Sequence, residues 1–237
     1  MKIIGKGFIA KNFKKIKFSK RYIIYAAGVS NSNLKDKNKY KHEVKKFKNF
    51  IRRVNKKKII IYISTLSVED KKLKNDLYVK NKLIIEKLAK KLLKRYIIIR
   101  LPQVIGHNKN KYTLTNWVFN SILKEKTLLI WKGSKRNIID IYDVTKIIES
   151  FLKTNPRKNT QINILNPKTI RIENIIKIFE NILNIKAKIK ILSRKNKNIN
   201  LKQISKKTFL AKKYYKNLDN KNYYKNIIKK YYGENIF

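Results

Sequence analysis

Cysteine is missing altogether from this chain of 237 residues. Its absence excludes disulfides, thiolate metal sites and cysteine nucleophiles, and it fits a reducing cytoplasm. Histidine occurs only as His42 and His107, too far apart in sequence to suggest a metal site. No apolar run approaches the roughly 18 residues that would span a bilayer. Lys6 and Lys11 interrupt the apolar N-terminus "MKIIGKGFIAKNF", which makes it a poor signal peptide. The expected location is therefore cytoplasmic, with no membrane span. Proline and glycine are scarce as well, at three and six residues, so each glycine carries information.

Acidic residues number 14 against 61 Lys and Arg, for a net charge of +47. Such a charge invites a nucleic-acid or anionic-surface reading. Only nine of the cations are Arg, the better fork for phosphates and base edges. The lysines are spread through every segment and come with many Asn and Ile, as in a chain shaped by AT-rich codon usage. Nucleic acid is not the expected partner, although a basic binding surface stays open as an alternative. Hydrophobic residues make up 43% of the chain, enough to fold.

Short apolar runs alternate with longer helical patterns. The sequence predicts strands at 2–4, 22–28, 58–65, 96–102, 128–131 and 161–165. It predicts helices at 8–15, 40–54, 76–94, 114–126, 143–154 and 172–184. The tail from about 186 adds one strand and two short helical patterns. Alternating strands and helices imply an α/β fold with a mainly parallel sheet.

"IIGKGFIAKNF" sets Gly5, Gly7 and Ala10 in a G-x-G-x-x-A pattern between the first strand and the first helix. Such a turn lets backbone N–H groups approach a pyrophosphate, with Lys6, Phe8 and Ile9 around it. An ordinary tight turn is the alternative. The acidic residue that usually follows about 20 positions on, to hold the adenosine ribose, is missing: the first acid in the chain is Asp36.

Tyr78 and Lys82 form a Tyr-x-x-x-Lys pair. Chance predicts roughly three such pairs in a chain this rich in lysine, and Tyr142/Lys146 is another. Context separates them, because Tyr78 opens a helix soon after a strand ending in Ser64 and Thr65. A lysine one turn away shares a helix face with the tyrosine and favours its phenolate. Tyr78 is then suited to exchange a proton with a substrate hydroxyl, with Thr65 bonding the same oxygen. A surface tyrosine beside a solvated lysine is the plain alternative.

Taken in order, these motifs resemble the extended short-chain dehydrogenase/reductase family, the NAD-dependent epimerases and dehydratases of nucleotide sugars. "GKGFIA" resembles its glycine turn, "IIYAAG" the strand whose end (Ala27, Gly28) lines the cofactor cleft, and "YISTLSV" the strand of the catalytic Ser/Thr. "YVKNK" resembles the Tyr–Lys helix. "RLPQVIG" is similar to the strand end with Pro102 beside the nicotinamide and Gln103 facing the sugar. "WKGSKRNIIDIYDV" is similar to a late segment whose Arg136 pairs with the substrate diphosphate, while Asp140 and Asp143 shape the turn.

The resemblance implies a Rossmann-like parallel sheet flanked by helices, shortened in its first half, with a small C-terminal substrate-binding lobe. Residues 1–110 and 128–150 would form the NAD(P)-binding domain, and 111–127 with 151–237 the lobe. It implies NAD or NADP as cofactor, a nucleotide-diphosphate sugar as substrate, and a homodimer through helices 40–54 and 76–94. The implied activity is that of an epimerase or 4-keto reductase in surface polysaccharide synthesis. The catalytic residues would be Thr65, Tyr78 and Lys82, with Ser64, Tyr78 and Lys82 among the cofactor contacts. Two departures stand out. Only residues 16–21 separate the first helix from "YIIYAAG", where the family inserts two strands and a helix, and the usual Tyr-Gly after the catalytic strand reads Glu69-Asp70. A binding protein on the same scaffold, using its basic surface to hold RNA or another anion, is the alternative function.

Overall fold

Successive strand residues face opposite sides of the sheet, so runs such as YIIY and IIIYIST bury side chains on both faces. The computed structural model describes residues 2–16, 18–193 and 216–233. Strands β1 (Lys2–Ile4), β2 (Tyr22–Tyr25), β3 (Ile59–Thr65) and β4 (Tyr96–Leu101) lie side by side, and β9 (Thr160–Asn163) follows β4. All four pairings are parallel. Ile24, Ile61, Ile97 and Ile99 point into one core, whereas Ile23, Tyr25, Ile60, Tyr62 and Ile98 point into the other. Parallel strands covered on both faces read as continuous apolar runs, as "KIIIYIST" does.

Helices α2 (Lys37–Arg53) and α3 (Leu77–Leu92) cover the second face with Phe47, Ile85 and Ala89. The first face is covered by α1 (Phe8–Phe13), α4 (Leu114–Leu123), α5 (Ile141–Lys153), α6 (Ile172–Leu183) and α7 (Tyr223–Tyr232). Smaller two-stranded sheets complete the fold. β5 (Gln103–Ile105) pairs in parallel with β8 (Ile138–Asp140), and β6 (Leu128–Trp131) in parallel with β11 (Ile189–Leu192). β7 (Lys135–Arg136) runs antiparallel to β10 (Ile170–Arg171). The scarce acids start helices: Asp36, Asp76 and Asp140 accept N-terminal backbone N–H groups of α2, α3 and α5.

The α/β class, the parallel sheet and the order of elements agree with the sequence reading. The tail supplies β11 and α7, and the rest of its pattern, 194–215, lies outside the described residues. The division into domains needs correction. β9 belongs to the main sheet, beside β4, so 160–163 is not part of a separate lobe. Helices α4 to α7 pack into the same core as the sheet's first face, so the substrate lobe has no core of its own. No described helix is long and apolar enough to cross a membrane.

β1 pairs directly with β2 and ends the sheet among the described residues. That adjacency is what a missing block between 16 and 21 requires. The edge itself is only three residues long and opens on an exposed lysine, Lys2, features that discourage pairing with other chains.

The central strand's Ile61 is wholly buried. Ile61→Ala is expected to cost about 2–5 kcal/mol through lost burial and a cavity, measurable as a lowered urea midpoint with unchanged slope.

Candidate functional site

In open parallel sheets, ligands bind outside the carboxyl ends of the strands. The loops after β1, β2, β3 and β5 gather there, joined by 131–137 and the first turn of α5, around one cleft of about 2540 Å³. Ligand sites for single small molecules enclose roughly 300–1,000 Å³, so this cleft has room for a larger ligand or for two.

Its floor begins at the glycine turn. Gly5 has φ +135°, and a Cβ there would sit 2.5 Å from the Ala26 carbonyl oxygen, so only glycine lets β1's exit cross the end of β2. Gly7 caps α1 with its backbone; no side chain caps the helix, and a Cβ would meet nothing within 4 Å. The backbone at Gly7 thus borders open cleft. Phe8 closes over Gly106, where a Cβ would lie 2.6 Å from its ring. Lys6, Ile9 and Ala27 complete this wall.

Lys82 is the surprise of the site. A solvated lysine is what composition suggests, yet the Lys82 side chain is 5% exposed, with Nζ donating to Glu43 Oε1 at 3.0 Å. The other carboxylate oxygen accepts from Asn81 Nδ2 at 2.9 Å and from the Val29 N–H at 3.1 Å. Gly28 makes room for the pair: a Cβ there would fall 2.2 Å from Lys82 Nζ and 2.7 Å from Glu43 Oε1. Lys82 Nζ also stands 5.4 Å from the centre of the half-buried Tyr78 ring. The second Tyr–Lys pair has a similar spacing, 5.5 Å, but the Lys146 side chain is 46% exposed and pairs with Glu149 at 3.9 Å. Burial, rather than spacing, separates the two.

Thr65 is buried at the head of a short helical turn, its Oγ1 accepting from the Ser67 N–H and donating to Ser67 Oγ, both at 3.2 Å. Ser67 lines the cleft as well. Ser64 borders the cleft, but its hydroxyl donates to Glu86 at 2.6 Å. Glu86 in turn holds Arg100, whose Nε lies at 2.9 Å, and Glu69 pairs with the same guanidinium. Burial works against the charge on Arg100, and Glu86 and then Glu69 outweigh it, raising the guanidinium above its ordinary value. The sequence departure at Glu69 is thus absorbed as an ion pair, while Asp70 faces the cleft.

Pro102, Gln103 and Arg136 line the opposite wall. Burial lowers the Arg136 guanidinium from its ordinary value, partly countered by Glu173, and among the described residues Arg136 makes no ion pair within 4 Å. A half-buried guanidinium without a close anion suits a phosphate. His107 is exposed on the rim, edge-on to Tyr231 at 4.9 Å. Asp140 accepts from Tyr231, and Asp143 from Tyr223 at 2.5 Å, so α7 braces the turn before α5.

Each expected catalytic, cofactor and substrate residue therefore borders this cleft, while Asp140 and Asp143 lie behind it. Missing from that expectation were Glu43, Asn81 and Ser67. Glu43 had a legible signal: it is the only acid in α2 and falls on the helix's buried stripe with Tyr40 and Phe47. For a dinucleotide, the glycine turn and the open space at Gly7 fit a pyrophosphate. The end where a dinucleotide's adenosine would lie lacks the acid and, among the described residues, a strand beyond β1.

No protein-family model matches the sequence, and none of the curated proteins matches it. Solved structures do match in fold. UDP-glucuronic acid 4-epimerase from Bacillus cereus, in complex with UDP-glucuronic acid and NAD, superposes with a TM-score of 0.68 at 20% identity, covering 95% of this chain and 77% of that one. dTDP-4-dehydrorhamnose reductase from Bacillus anthracis, in complex with NADP, gives 0.65 at 15% identity, with 81% and 85% covered. MoeE5, in complex with UDP-glucose and NAD, gives 0.59 at 12% identity; this chain covers 66% of its length, with 73% of this chain matched. The chain has the Rossmann-like fold of these epimerases and reductases.

Two glycine substitutions should behave oppositely. Gly28→Ala must push aside a buried ion pair and is expected to cost about 1–3 kcal/mol. Gly7→Ala should leave the thermal midpoint nearly unchanged and instead weaken binding of a dinucleotide, read by titration of the two variants side by side.

Proposed function

We propose that the chain is an NAD(P)-dependent epimerase or 4-keto reductase of nucleotide sugars, of the extended short-chain dehydrogenase type. The observation that carries this reading is the buried Lys82 beneath Tyr78, in a cleft whose other walls hold the glycine turn and Arg136. A lysine is taken out of water for a reason, and here a phenol suited to move a proton lies beside it.

In this reading the Tyr78 phenol gives a proton to, or takes one from, the sugar oxygen. Thr65, turning its hydroxyl from Ser67 Oγ, donates a hydrogen bond to that oxygen and fixes the reacting carbon. Arg136 holds the diphosphate and Gln103 contacts the sugar. Gly5, Lys6, Gly7, Phe8 and Ile9 receive the cofactor's pyrophosphate, and Ala27, Gly28, Ser64 and Pro102 border its nicotinamide half. NAD or NADP, when bound, supplies the hydride acceptor or donor. The pathway proposed is surface polysaccharide synthesis, consistent with sugar nucleotides as substrates.

A second reading, a binding protein on the same scaffold, is favoured by one feature: β1 ends the sheet where the adenosine would need support.

Titration of the purified protein with NAD(H) and NADP(H), followed by NADH absorbance with UDP- or dTDP-4-keto sugars, separates the two. Tyr78→Phe is expected to lower turnover by about 10²–10⁴-fold. If neither cofactor binds and no sugar nucleotide is turned over, the enzyme reading is wrong.

A further inference from the structure

We propose that Glu43 is a positioning residue for the Tyr78–Lys82 pair: it fixes the Lys82 ammonium and offsets its charge. The potential at the Tyr78 phenol is then set by the Lys82–Glu43 ion pair, not by Lys82 alone. Its consequence for turnover rests on the function proposed above; the charge relation itself does not.

The geometry is that of a built device. Glu43 reaches from α2 to α3 and to the loop after β2, and both its oxygens are engaged: Oε1 by Lys82, Oε2 by Asn81 and the Val29 N–H. The side chains of the pair are 5% and 4% exposed, so water screens them little. Glycine at position 28 is what admits both heads. A purely mechanical link between the helices would need no charge, and an apolar contact of equal volume is often as stable as a buried ion pair.

The carboxylate's field reaches the phenols around it. Burial first, then Glu43, pushes Tyr25 on β2 up to about 12. Burial, then Glu43, Tyr78, Glu86 and Tyr25, holds Tyr62 on β3 well above the ordinary phenol value. Tyr40, one turn earlier on α2, is pushed up to about 12 by burial, then Asp76, Tyr78 and Glu43. Of the other acids near the pair, Asp76 caps α3 and Glu86 is matched by Arg100, while His42, Lys45 and Lys80 are exposed. Lys46, a turn after Glu43 on α2, is exposed at the cleft. Lys82 is the one cation paired with Glu43.

An unopposed Lys82 favours the phenolate, and Glu43 works against it. Removing Glu43's charge should therefore let Tyr78 ionise at lower pH, and removing Lys82's should do the reverse. The test is a pH titration of cofactor-free protein carrying ¹³Cζ-labelled tyrosine, with the Tyr78 signal assigned by its loss in Tyr78→Phe. Glu43→Gln is expected to lower the Tyr78 midpoint relative to wild type. Lys82→Met should raise it, the double variant should return close to wild type, and Glu43→Asp, which keeps the charge, should restore the wild-type midpoint. Should Glu43→Gln fail to fold, Lys82→Met against the double variant reads the same quantity. Equal midpoints with and without the Glu43 charge, in either comparison, overturn the proposal. If the midpoints move as expected while cofactor binding and turnover are absent, the proposal stands and the enzyme reading fails.

Discussion

Taking a charged side chain out of water costs several kcal/mol unless an opposite charge and further hydrogen bonds meet it. This chain takes Lys82 and Arg100 out of water, with only 14 carboxylates among 61 cations to meet them. Glu43 meets the first, and Glu86 with Glu69 the second. Together the two sets of contacts pin α3 from both sides, to α2 and the end of β2 through Lys82, and to β4 and the turn after β3 through Arg100. Removing one partner of such a pair typically costs about 3–5 kcal/mol. The position of Tyr78, in the first turn of α3, follows from that bracing, and so does the shape of the cleft beside it.

Much of the fold was legible because the strands are buried on both faces. Runs such as "KIIIYIST" admit few other readings when Gly, Pro and polar turns bound them, and the helices announce themselves by stripes such as Ile141, Val144, Ile148 and Phe151–Leu152. Strand order was less legible. β9 returns to the main sheet only after α4, β6 to β8 and α5 have gone by, and nothing local in "TQIN" says which sheet will receive it. A lobe drawn from sequence position therefore took in residues that pair in the main sheet.

The cleft was legible in its motifs and illegible in its charges. Tyr78 and Lys82 could be proposed from a strand end and a helix start. That Lys82 is buried against Glu43 depends on two helices 39 positions apart packing side by side, which no spacing encodes. Ser64 illustrates the converse. Adjacent to Thr65, it looks equally available, but successive residues of a strand face opposite sides, and its hydroxyl turns to Glu86.

β1 ends the sheet, and a short stretch at 16–21 carries the chain from α1 into β2. Parallel sheets grow at their edges without disturbing the strands already paired, because each new strand needs only a neighbour's free N–H and C=O groups and a crossover to reach it. That stretch is accordingly a natural graft point. A strand–helix–strand segment borrowed from a longer protein of the same fold would extend the sheet outward past β1, leaving α3, Glu43 and the glycine turn untouched. In modular terms, the sheet edge at β1 and the cleft beside α3 are separable parts of the chain.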